Sequence, residues 1–372
     1  MKIYKSILFI AFFALLACLS ACNKTANNKE ASKRLLTSAT GSIYECLVVM
    51  DSHPLTQNQL NAIASIGLEN KASGYSEPIS NTYDLVKAIM AEDMPCMPQM
   101  EPYFRITNVK NAAFDDMFKA TRNILIIDIN PQKYTQLKAK ISIDYWSTPQ
   151  AVYRIQSPSQ DAFVEYWLEN GKNIREWFVQ QEIKRQTKFY QASTNKQARS
   201  ILQQQGYDML IPEDYMLVMD TLLSDNVKLL WCCNNKGPMR RDVIVYHYPY
   251  TNPNTFSSDF LNEKRDAVLS QVITGSLEGS YMGTEYKIMP PQQRPIIVKD
   301  SISAYEVRGL WKIIQGEAMG GPYVSHTRLD HINARVVTAE TFLYAAGQKK
   351  RTALRQAEAI LYTLQLPEDT IK

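Results

Sequence analysis

The chain has 372 residues, 45% of them hydrophobic and 21% charged, with a formal net charge of +4. Those proportions suit a globular protein of about two domains and exclude the strong basic excess of a nucleic-acid binder. Beyond the N-terminal run described next, no apolar stretch reaches membrane-spanning length, so no later segment is expected to cross a bilayer.

Lys2 and Lys5 precede eleven apolar residues, Ile7 to Ala17. A spanning helix needs about 20, so this run fits the core of a signal peptide. Leu19-Ser20-Ala21-Cys22 then places small residues before a cysteine. It resembles the bacterial lipobox. That resemblance implies cleavage before Cys22, a diacylglycerol on its sulfur and an acylated amine. Two or three acyl chains hold a protein on a membrane, whereas one binds only marginally. Residues 1–21 are therefore expected to be a lipoprotein signal peptide, and 22–41 the lipidated cysteine with a polar, flexible tether. Of the other cysteines, only Cys46 and Cys96 are open to disulfide pairing. Cys232 and Cys233 read as core thiols on opposite faces of a strand.

Residues 42–200 are expected to form a first α/β domain. Tyr44–Met50 and Tyr103–Val109 read as strands, and Asn123–Ile129 as a central strand because its apolar run is continuous. Ala151–Gln156 is a fourth. Thr56 is placed to cap a helix running to about Asn70, with Leu60, Ile63 and Ile66 on one face. Asn81–Met90 is another helix, and a proline-rich loop, Met94 to Pro102, follows it. Ser159 caps a long helix to about Ala192, and Lys196–Gln205 stops at Gly206. Residues 201–372 form the second α/β domain. Strands are expected at Tyr215–Met219, Val227–Cys233, Asp242–Tyr248, Ile296–Val298, Ala304–Gln315, Gly321–Thr327 and Ala334–Tyr344, with helices at Asn262–Gln271 and Lys349–Thr363. Strands in runs with helices at the ends predict an α+β chain of two domains with largely antiparallel sheets.

Pro98-Gln99-Met100-Glu101-Pro102-Tyr103-Phe104, Arg122-Asn123-Ile124-Leu125, Tyr281-Met282-Gly283-Thr284, Arg308-Gly309-Leu310-Trp311 and Met319-Gly320-Gly321-Pro322-Tyr323 together resemble a family of Bacteroidota lipoproteins, domain of unknown function four-eight-three-seven. The resemblance takes in essentially the whole mature chain and implies location, but no residue roles. More loosely, residues 208–364 resemble the α/β/α sandwich of photosystem-II extrinsic subunit P. In relatives of this lineage, acids soon after the lipidated cysteine send a lipoprotein to the cell surface. Asn23-Lys24-Thr25-Ala26 has none, which implies an outer-membrane lipoprotein facing the periplasm.

His326, Asp330 and His331 raise a metal reading, but a spacing of five misses the i, i+4 face of a helical zinc pair. They read as polar residues after a loop, and His247 as a structural histidine. The Gly275–Gly283 run lacks the ending of a phosphate loop and reads as a turn-rich connection. No metal or cofactor set is expected. Glu101 and Arg122 are the first pair to test, either as catalytic groups or as a salt bridge pinning the proline-rich loop. Arg308 and Trp311 face Met319 and Tyr323 across a short turn. They are either a binding surface, being residue types enriched at interfaces, or a strand hairpin with an aromatic core. The sequence thus predicts a membrane-anchored protein, most simply a non-catalytic binding or assembly protein with an envelope protein partner. The alternative is a hydrolase of an envelope glycan, lipid or peptide.

Overall fold

A computed structural model describes residues 36–72, 75–299 and 301–370. The expected signal peptide, Cys22 and residues 23–35 of the expected tether lie outside the described residues. Residues 36–41, assigned to that tether, instead run along the first domain. Thr37–Ser38 pairs in parallel with Ser147–Thr148, and Thr40 bridges Thr121.

The first domain holds strands β1 (Glu45–Val49), β2 (Arg105–Val109), β3 (Asn123–Ile129), β4 (Lys138–Ile143) and β5 (Ala151–Ser157), in the order β2-β1-β3-β5-β4. Here the expectation of antiparallel pairing fails. All pairs are parallel except β4 against β5. The reason is visible in β1 and β3, whose near-continuous apolar runs bury both faces, as parallel strands require. One face packs Leu47, Ile124 and Val152 against Phe114 and Trp146. The other packs Val48, Leu125 and Ile155 against helices.

Those helices are α1 (Gln57–Ser65), α2 (Thr82–Met90) and α3 (Gln160–Ala192). Thr56 and Gln59 form a capping box on α1. The helix stops short of the expected Asn70, at Gly67 in the left-handed region, and leaves Ile66 exposed. Ser159 caps α3 by accepting from the Ala162 amide. Its 33 residues extend about 50 Å at 1.5 Å per residue. Gly171 lets α2 approach, because a Cβ there would lie 2.8 Å from Ile89 Cδ1.

After α4 (Lys196–Gln204) the second sheet runs β6 (Met216–Leu222), β7 (Lys228–Asn234), β8 (Arg240–Pro249), β9 (Tyr281–Thr284), β10 (Gln292–Lys299), β11 (Ile302–Ile314), β12 (Gly320–Asp330) and β13 (Arg335–Tyr344). Its order is β6-β7-β8-β13-β12-β11-β9, and β10 pairs with the other half of the same edge of β11. Every pairing is antiparallel. One face carries α5 (Ser258–Leu269), packed on Trp231, Ile244 and Trp311. The other carries α6 (Arg351–Leu361), whose Leu354, Ala357, Ile360 and Leu361 join Leu230, Cys232 and Val337. This core continues without a break into Phe163, Trp167 and Phe178 of α3 and on to the first sheet. The order of layers is sheet, α3, α6, sheet, α5, and the fold class is α+β.

Candidate functional site

Residues separated by two share a face of a strand, and residues separated by three do not. That parity divides the expected binding patch. Arg308 points from β11 toward α6, whereas Trp311 and Tyr323 point to the α5 side. Arg308, Trp311 and Tyr323 are all buried, and Met319 packs against the same aromatic cluster. Gly309 stands opposite Tyr323, and a Cβ there would meet the tyrosine ring at 2.5 Å. Arg265 lies 3.7 Å over that ring, and the Trp311 Nε1 donates to the Leu343 carbonyl at 3.0 Å. The hairpin is an aromatic core and not an exposed surface.

Glu101 and Arg122 do not pair. Glu101 accepts the Lys350 amide at 2.6 Å and the Arg351 amide at 3.1 Å. It therefore satisfies free N–H groups at the start of α6, where a negative charge is favoured. Arg122 makes a two-pronged pair with Glu182 of α3, at 3.0 and 2.7 Å, and Asn123 and Arg185 also bond Glu182. Each residue holds a different joint of the fold.

On the α6 face, Glu306 and Arg308 project together, and Glu306 stands opposite His326 in register. Arg308 binds Glu306 at 2.8 and 3.0 Å and also Glu358 of α6. Arg294 reaches Glu306 at 2.7 Å, and Arg355 reaches both Glu358 oxygens at 3.1 Å. Burial would raise the Glu306 carboxyl, but Arg308, His326 and Arg294 outweigh it and hold the group well below the usual glutamate range. Glu306, His326 and Glu358 bring one donor atom each within 4.8 Å. A cation among them would sit against three guanidinium groups already bound to those oxygens, so the set fits a salt-bridge network and not a metal centre. Asp330 and His331, the other members of the sequence-level metal reading, point elsewhere. Asp330 binds Arg335 at 2.7 Å, and His331 is exposed. His247 is bonded to the Tyr207 hydroxyl at 3.1 Å. All four described cysteines are free and buried, including Cys46 and Cys96.

The site that sequence reasoning missed is a cavity of about 770 Å³ in the second domain. Phe256, Lys299, Tyr305, Thr327, Arg328 and Asp369 line it. Phe256 and Tyr305 stack with ring centres 5.1 Å apart. Arg328 sits below, clamped two-pronged on Asp369 at 2.5 and 2.7 Å. Burial pushes Asp369 up, but Arg328 outweighs it and keeps the carboxyl below its ordinary value. β10 forms one wall, and among the described residues its outer edge has no strand partner. The one signal for this site in the sequence is alternation along β10, too short and polar to stand out.

The fold and the cavity define an α+β chain with an open pocket at a sheet edge. Residues 193–363 match the family model described as Domain of unknown function (DUF4837). Residues 76–191 match a different model, Domain of unknown function (DUF8532). The family likeness expected over the whole mature chain is thus divided at the end of α3. No curated protein matches the chain. Among solved structures it is similar to cyanobacterial PsbP (CyanoP) from Synechocystis sp. PCC 6803, with 11% identity over 44% of this chain and 88% of that chain and a TM-score of 0.31.

Proposed function

We propose that this is a lipid-anchored envelope protein that binds a partner and does not convert it. Cys22 is the anchor, and the sequence after it favours the periplasmic leaflet of the outer membrane. The partner is an extended segment of another envelope protein, added along β10. The observation that carries this reading is the cavity beside an unpaired strand edge. Free backbone N–H and C=O groups supply affinity to an added strand, and neighbouring pockets take its alternate side chains. Ile297 is 56% exposed on that edge and Tyr305 is 39% exposed at the mouth, so apolar contact area is at hand. The hydrolase reading rested on Glu101 and Arg122, and both are tied into joints of the fold.

Two experiments test the reading. Cys22→Ser should move the protein from the membrane fraction to the soluble periplasmic fraction, and retention on the membrane would overturn the anchor. A photo-crosslinking amino acid placed at Ile297 or at Tyr305 should capture one and the same protein. The same probe at Val218, on the opposite sheet edge, should not. Capture from Val218 alone, or different products from Ile297 on the edge and Tyr305 at the cavity mouth, would overturn the docking site.

A further inference from the structure

The proline-rich loop Met94 to Pro102 contributes nothing to that cavity, yet it is held at both ends. Met94 N donates to the Glu101 carbonyl at 2.9 Å, and Tyr103 N to the Glu92 carbonyl at 2.8 Å. Glu101 is locked to α6, and Cys96 adopts a left-handed φ of 56°. A non-glycine residue in that region costs free energy, of order 1 kcal/mol or more, and such positions concentrate at ligand sites. The loop lines a second cavity, of about 480 Å³, in the cleft between the two halves. Met94, Cys96, Met97 and Met100 line one side of it, and Met289 from the second domain lines the other.

We propose that this cleft is a binding site for a soft monovalent d10 cation, copper(I), held by the thioethers of Met94, Met97 and Met100 with the Cys96 thiolate and Met289 completing the shell. Thioether and thiolate sulfur prefer copper(I) to the hard divalent cations. Met94, Met97 and Met100 stand three apart on one short loop, and all three line the same cavity. Of the carboxylates that share the cavity, Glu92 is bound to Arg175, while Glu69 and Asp93 stand with it on the rim, so sulfur selectivity rests on the cation's softness. Met94, Cys96 and Met97 are almost fully buried and Met100 is 66% exposed, so the exposed thioether can meet the ion at the mouth. Binding forms a Cys96 S–Cu bond and releases the thiol proton to solvent, with no change of oxidation state. Because Met289 comes from the second half, an ion in the cleft would also join the two domains.

The test is anaerobic titration of the full-length lipidated protein in detergent with copper(I), in competition with the chromophoric chelator bathocuproine disulfonate. The expected result is one copper per chain with sulfur-only coordination in X-ray absorption. Met97→Leu with Met100→Leu should weaken binding about tenfold or more. Cys96→Ala should do the same, while Met216→Leu on the far sheet edge should leave binding unchanged. Failure to take copper from the chelator, nitrogen or oxygen coordination, or binding unchanged in the Met97/Met100 variant would each overturn the site. If that variant does not fold, silver(I) added to wild type decides the matter. The methyl resonances of Met94, Met97 and Met100 should shift together, and a shift confined to other methionines would overturn the proposal.

Discussion

Glu101 shows how far a single side chain acts from its place in the sequence. Its two carboxylate oxygens hold amides at the start of α6, about 250 positions along the chain. Glu101→Ala should destabilise the protein by about 1–3 kcal/mol in urea unfolding, because two buried N–H groups lose their acceptor. The cost should add to that of Arg122→Ala within about 0.5 kcal/mol, since the two residues share no partner. A larger coupling would restore the direct pair that the sequence suggested. His247 gives a pH prediction at the same scale. Burial first, then Arg335 and Lys228, lower its pKa from the ordinary 6.5 to about 4. The unfolded chain therefore takes up the proton first, and stability is lost as pH falls from about 6.5 to about 4. His247→Gln should flatten the melting temperature across that window. An unchanged slope would show that other groups carry it.

Single elements explain why the expected patch did not form. β11 is 13 residues long and buried on both faces, so its charged and aromatic residues separate by parity. Glu306 and Arg308 meet α6, while Val307 and Trp311 meet the α5 side. Removing one partner from a buried ion network strands the others in a dry core. Arg308→Met should therefore cost about 3–5 kcal/mol, and replacing Glu306, Arg308, Arg355 and Glu358 together by apolar residues should cost less, because no buried charge of that set is then left without its partner. A quadruple variant less stable than Arg308→Met would refute that account. The same network has an acid limit. The Glu306 pKa lies below its unfolded value, so its stabilisation is complete above the ordinary glutamate range and fades as pH falls through the folded value.

At the scale of the whole molecule, the two family matches meet near residue 192, but the hydrophobic core does not stop there. Leu354, Ala357 and Ile360 of α6 share one cluster with Phe178 and Ile183 of α3. Residues 193–372 made alone would expose that face to water. The fragment should bind the dye ANS and lack a cooperative thermal transition, and a sharp native-like melt would show that the second half is self-sufficient. Much of the local structure was legible beforehand. The continuous apolar run of β3, the Ser159 cap of α3 and the β11–β12 hairpin follow from periodicity, caps and turns, which act over a few residues. The parallel pairing of the first sheet was not legible, because strand direction is settled by the crossover and not by the strand. Nor were the Glu101–α6 joint, the cavity beside β10 or the methionine cleft, each of which brings together residues from distant parts of the chain. The sequence by itself determined most of the helices and strands and where their apolar faces lie. It also carries the expectation of an anchor at Cys22. Only the tertiary structure decided which buried charges meet and where the chain leaves a cavity. Those depend on contacts between residues hundreds of positions apart, on which local propensity is silent.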